Sequence, residues 1–155
     1  MRRYTNVIRS LGRHRWFAAV GRRLVPVDTW VQRRTGGRLT VLGALDLPKL
    51  LLTTTGRRSG EPRTVPLLYL PDGDRYVVIA SNWGQAHHPA WSGNLLAEPA
   101  ATVTVGGRER AVRARLADEA ERARLWPEVT RIWPGYDDYA ERSGRDLRVF
   151  VLEPA

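Results

Sequence analysis

Two runs of β-forming residues, Leu50–Thr55 and Arg63–Leu70, flank the turn Gly56-Arg57-Arg58-Ser59-Gly60-Glu61-Pro62. Threonine, valine and leucine favour a pleated, half-buried backbone, and the glycine-rich stretch between them reverses the chain. A short, stiff hairpin results, with Arg57, Arg58 and Ser59 at its tip and Arg63 where the chain re-enters the sheet. Guanidinium forks beside a hydroxyl and free backbone N–H groups suit a phosphate or a row of carboxylates. A solvated basic tip fits the same residues equally well.

The rest of the chain follows the hairpin's character. Strands are expected at about 38–43, 49–55, 63–70, 75–81, 101–105, 108–117 and 147–152, with hairpin turns at Pro71-Asp72-Gly73-Asp74 and Gly106-Gly107. Two helices interrupt them. One runs Ala90–Ala97 after Pro89; the other begins at Asp118, whose spacing to Glu121 predicts a capping box, and ends near Ile132. Trp133-Pro134-Gly135 breaks it before a last turn over Tyr136–Arg142. Mainly β with helices (α+β), the pattern predicts a small antiparallel barrel with helices over its openings.

The segment before this region differs in kind. Residues 1–45 hold ten arginines and one acid, Asp28, which accounts for all of the +9 net charge; the remainder is neutral. Val7, Ile8, Leu11, Phe17, Val20 and Leu24 recur at helical spacing, Pro26 is expected to end that helix, and Asp28 to cap a second short one to about Arg34. The division is thus a basic amphipathic helical segment, 1–36, and a barrel domain, 37–155. The first helix fits two roles: packed on the domain by its apolar stripe, or lying on an anionic membrane with Trp16 and Phe17 at the interface. No nucleic-acid motif accompanies the charge, so nucleic acid is not expected as a partner. Neither a signal peptide nor an apolar run of about 20 residues is evident, which points to a cytoplasmic protein, soluble or peripheral on the inner face of the membrane.

Absent residues narrow the chemistry. The chain has no cysteine, and its three histidines form no ligand pattern: His87-His88 beside Pro89 reads as a surface loop or helix entry, not a metal site. There is no phosphate-binding loop, dinucleotide fingerprint or nucleophile elbow. Two other stretches offer a ring site instead. In Val77–Asn94 a strand of small residues ends at Ala80-Ser81, where a flat ring can approach the backbone; Ser81 and Asn82 can bond its heteroatoms, and Trp83 and Trp91 can wall it. In Trp126–Tyr139 the aromatics Trp133, Tyr136 and Tyr139 stand three apart around a proline break, as a lid would.

TTTGRRSGEPRTVPL, the strand-end AS with NWG, HPAW with Asn94, WPGYDDY and the closing VFVLEP together resemble the deazaflavin (coenzyme F-420)-dependent nitroreductase and quinone reductase family. The resemblance covers about two-thirds of the chain, from Leu47 to Pro154. It implies a split β-barrel of the flavin/deazaflavin oxidoreductase type, with hydride passing from the reduced deazaflavin to a quinone, a nitroaromatic or another conjugated acceptor. Carried over, Arg57, Arg58, Ser59 and Arg63 would hold the coenzyme's anionic tail, and Pro66, Ala80, Ser81, Asn82, Trp91 and Asn94 its ring. Trp133, Tyr136 and Tyr139 would face the acceptor, with Ser81, Tyr136 and Tyr139 the catalytic hydroxyls. The chain departs from the family's pattern at Leu68, Asn82, Trp83 and Trp133, where better-known members carry tyrosine, a basic residue, glycine and tyrosine. An FMN-binding barrel, or a non-catalytic carrier of cofactor or lipid at the membrane surface, are the alternatives.

Overall fold

A computed structural model describes residues 15–35 and 47–155. The strand expected at 38–43 and the start of the first helix lie outside the described residues. Helix α1 (Arg15–Arg34) precedes strands β1 (Lys49–Thr55), β2 (Pro62–Leu68), β3 (Leu70–Asp72) and β4 (Arg75–Ile79). A 3-10 turn at Asn82–Gly84, helix α2 (Ala90–Ala97) and strands β5 (Ala100–Val105) and β6 (Arg108–Leu116) follow. Helices α3 (Glu119–Ile132) and α4 (Gly135–Ser143) lead to β7 (Val149–Pro154).

The strands form one antiparallel sheet in the order β2-β1-β5-β6-β7-β4-β3. The sheet curls until β2 touches β4, two strands that share no ladder. The strand pattern predicts a small antiparallel barrel; the sheet forms a half-closed one, as the family resemblance implies.

Alternation in the central strands builds two cores. Val78 of β4 and Phe150 and Leu152 of β7 point into the barrel with Leu50, Leu52 and Val103, where Trp91 and Leu95 of α2 close the end. Val77, Ile79, Val149 and Val151 point the other way, onto Leu125 and Val129 of α3 and Tyr136 and Tyr139 of α4. Both faces of these strands are therefore buried, and each fully buried Leu or Phe contributes about 1.5–3 kcal/mol. The Asp118 box forms as its spacing implies: Asp118 Oδ1 accepts from the Glu121 N–H at 2.8 Å, and the Glu121 carboxylate accepts from the Asp118 N–H.

The expected break at Pro26 does not occur. Residues 15–34 form one helix with Pro26 inside it, and Asp28 is not a cap but a mid-helix residue, 1% exposed. An internal proline costs a helix about 3 kcal/mol. Here tertiary packing offsets it: α1 lies against β2 and the Asn82–Gly84 turn. Thr29 Oγ1 also donates to the Val25 carbonyl at 2.7 Å, in the turn that follows the proline.

Candidate active site

At the seam between the two cores, under α1, lies a mostly apolar cavity of about 620 Å³. Strand β2 supplies Val65, Pro66, Leu67 and Leu68. Ile79 and Ser81 come from the end of β4, Trp91 from α2, and Trp133, Tyr136 and Tyr139 from the α3–α4 corner. Val20, Gly21, Leu24, Val25 and Asp28 of α1 form the roof, and Arg57 and Lys49 bring positive charge to the wall.

The hairpin meets this cavity at Arg57, an exposed residue of its lining. Its turn is closed by the Gly56 N–H donating to the Glu61 carbonyl at 2.8 Å and the Gly60 N–H to the Gly56 carbonyl at 2.7 Å. Ser59 Oγ accepts from the Glu61 N–H and from the Arg63 guanidinium, at 3.2 and 3.4 Å. Arg57 is anchored differently. Its backbone N–H donates to Asn94 Oδ1 at 3.1 Å, and its guanidinium donates to the Ala90 carbonyl at 3.1 Å. The guanidinium lies directly over Gly93, where any Cβ would collide with it. Arg57, Arg58, Ser59 and Arg63 remain exposed around this anchor, a cationic rim joined rigidly to α2.

The ring residues divide. Pro66, Ser81, Asn82 and Trp91 line the cavity, as do Trp133, Tyr136 and Tyr139. Ala80 is fully buried behind the strand end, and Asn94 works from beneath: its Nδ2 donates to the buried Thr54 hydroxyl at 3.0 Å while its Oδ1 receives Arg57. Burial pushes the Tyr136 and Tyr139 phenols up from their ordinary range. Both are protonated at neutral pH.

Asn82 and Trp83 hold positive φ, 46° and 57°, an unusual conformation for side-chain-bearing residues and a costly one for tryptophan. It turns the Trp83 indole onto α1 at Gly21, where a Cβ would come within 2.5 Å of the ring. Trp83 therefore joins the turn to the roof. The surrounding groups hold the strain: Asn82 Nδ2 donates to the His87 carbonyl at 3.0 Å, and Arg145 bonds the carbonyls on either side. Lys49 of the first strand and Arg145 of the loop after α4 come to the site with no local signal in the sequence, and Asp28, expected as a cap, reaches it from within α1.

An apolar cavity with arginines of the hairpin beside it fits a flat ring carrying an anionic tail. The F420H(2)-dependent quinone reductase family model matches residues 24–154. The chain belongs to the F420H(2)-dependent quinone reductase family. An F420H(2)-dependent quinone reductase of Mycobacterium tuberculosis strain H37Rv is 36% identical over 152 residues, 95% of this chain and 97% of its own. A solved F420-H2 dependent reductase, FDR-A, superposes with a TM-score of 0.64 at 34% identity, covering 68% of this chain and 94% of its own. A solved domain-swapped dimer reaches a TM-score of 0.66 at 32% identity, covering 82% and 96%. The split barrel expected from the motifs is thus the fold of this F420H(2)-dependent quinone reductase family member.

Proposed function

We infer that this chain is an oxidoreductase that uses reduced coenzyme F-420 to reduce a quinone. The observation that carries the reading is the pairing of the apolar cavity with the Arg57–Arg63 rim, in a chain of the F420H(2)-dependent quinone reductase family. When bound, the coenzyme supplies the hydride. The chain's own residues then have three tasks. Arg57, Arg58, Ser59 and Arg63 hold the anionic tail by charge-assisted bonds. Pro66, Ser81, Asn82 and Trp91 seat the ring, while Ala80 and Asn94 fix the backbone behind it. Trp133, Tyr136 and Tyr139 enclose the acceptor, and the Ser81, Tyr136 and Tyr139 hydroxyls can donate to an oxygen that gains charge. Nitroaromatics have the same combination of flat ring and acceptor oxygen, and belong to the proposed range.

Turnover tests this reading. Purified protein mixed with reduced coenzyme and menadione should oxidise the coenzyme at a rate proportional to enzyme concentration. Binding without oxidation across a panel of quinones and nitroaromatics would make it a carrier, and tighter binding of FMN would make it a flavin protein.

The roof helix extends the proposal to the membrane. Trp16, Val27 and Trp30 are exposed, and at about 100° per residue they share one side of α1 with the exposed Arg23 and Arg34. That side lies away from Gly21, Leu24, Val25 and Asp28, so α1 can roof the cavity and rest on a bilayer together. Aromatic and apolar side chains among arginines suit an anionic interface. Among the described residues no helix is long and apolar enough to cross a membrane, so the contact proposed is peripheral. Full-length protein should float with phosphatidylglycerol vesicles, and Trp16→Ala with Trp30→Ala should reduce that fraction several-fold while menadione turnover persists. Equal flotation of both proteins sinks the membrane role.

A further inference from the structure

The Arg145 guanidinium reaches back across the fold to four acceptors around the strand end. Its Nε donates to the Gln85 carbonyl at 3.1 Å and its Nη2 to the Ser81 carbonyl at 2.9 Å. Its Nη1 donates to the Ala80 carbonyl at 3.0 Å and lies 2.9 Å from His88 Nδ1. The last contact has only one chemical reading. Arginine has no lone pair to offer, so Nδ1 must be the acceptor and the ring's single proton must sit on Nε2. His88 is half-buried and lines the cavity, as does Ser81, whose carbonyl shares the same guanidinium.

We propose that His88 is a substrate-contacting hydrogen-bond donor of this reaction, and that Arg145 is the positioning residue that fixes it as the neutral Nε2–H tautomer. The proposal rests on reading the cavity as the site of quinone reduction. Hydride addition carries two electrons and one hydrogen to the quinone and leaves a hydroquinone monoanion. The Nε2–H of His88 donates to the anionic oxygen, and the second proton comes from water. His88 keeps its own proton, since losing it would leave an imidazolate. A fixed neutral N–H stabilises the developing charge without reorganisation. Burial, and after it the cationic Arg148 and Arg145 that face the ring, hold the imidazole below its usual pKa. It therefore stays neutral where an ordinary histidine begins to charge. Arg148 is itself bonded to Ser92 Oγ at 3.1 Å.

Nitrogen NMR of full-length, histidine-labelled protein without coenzyme tests the tautomer; the chain has only His14, His87 and His88 to assign. His88 should show an unprotonated Nδ1 and a protonated Nε2 at neutral pH. In Arg145→Met, or in Arg145→Lys if the first variant does not fold, it should titrate at higher pH with mixed tautomers. A protonated Nδ1 in the wild type, or shifts and titration unmoved by loss of the guanidinium, overturns the positioning role. Kinetics test the donor role. His88→Ala should lower kcat with menadione by about 100-fold, with coenzyme affinity within about threefold, and His88→Gln, which keeps an N–H, should restore part of the loss. An unchanged kcat, or equal loss for Ala and Gln, overturns it. A wild type that never turns over removes the oxyanion role along with the proposed function, whereas the nitrogen shifts still decide the tautomer by themselves.

Discussion

Replacing Arg57 and Arg58 together with alanine should weaken the intact coenzyme by about 100-fold and leave a tail-less deazaflavin fragment within about threefold. Each lost charge-assisted bond costs about 1.5 kcal/mol, and two give roughly two decades in Kd. Arg57 also braces α2 through the Ala90 carbonyl, so part of its loss is structural. The exposed Arg58 isolates the tail, and Arg58→Ala alone should account for about tenfold. Added salt should narrow the gap between wild type and variant, because the rim is open to solvent. Fluorescence titration with both ligands is sufficient. Similar weakening of coenzyme and fragment means the hairpin does not hold the tail.

The second large effect lies beneath that rim. Asn94 and Thr54 are 4% and 2% exposed, and Asn94 joins the Thr54 hydroxyl to the Arg57 backbone N–H. Asn94→Leu fills about the same space but strands both partners. The desolvated groups cost about 2–4 kcal/mol, a fall in melting temperature of roughly 5–15 °C for a chain of this size. The hairpin should also loosen, so affinity for the intact coenzyme falls in the same variant. Adding Thr54→Val removes one stranded hydroxyl and should recover part of the stability, a coupling that calorimetry on the two single variants and the double variant reads directly. A melting temperature for Asn94→Leu within about 2 °C of wild type shows that the bond contributes little.

Where neighbouring residues settle the structure, the sequence reading holds. Helix α2 begins after Pro89 and spans Ala90–Ala97 as expected, and the Asp118–Glu121 box closes over three residues. The Gly56–Pro62 turn reverses the chain between two strands paired from Lys49↔Leu68 to Thr55↔Pro62. Each depends on backbone preferences and bonds made within a few positions. Pro26 shows the limit. By propensity it ends a helix, yet burying Gly21, Leu24, Val25 and Asp28 over the cavity carries the helix through it. Leu70 likewise begins a new short strand instead of ending β2, because from there the chain pairs with β4, Leu70 opposite Val77.

The candidate site divides along the same line. The family, the half-closed barrel, the cationic hairpin and the aromatic corner were legible in the order and types of the residues, because motif spacing and strand alternation are carried by the chain itself. Tertiary structure alone decided which of those residues line the cavity and which, such as Asn94 and Ala80, support it from behind. It also made α1 the roof, set Trp83 in a strained turn against Gly21, and brought Arg145 onto His88 from 57 positions away. A side chain's neighbours across such separations depend on how the sheet curls and where the helices come to rest, and no local preference encodes that.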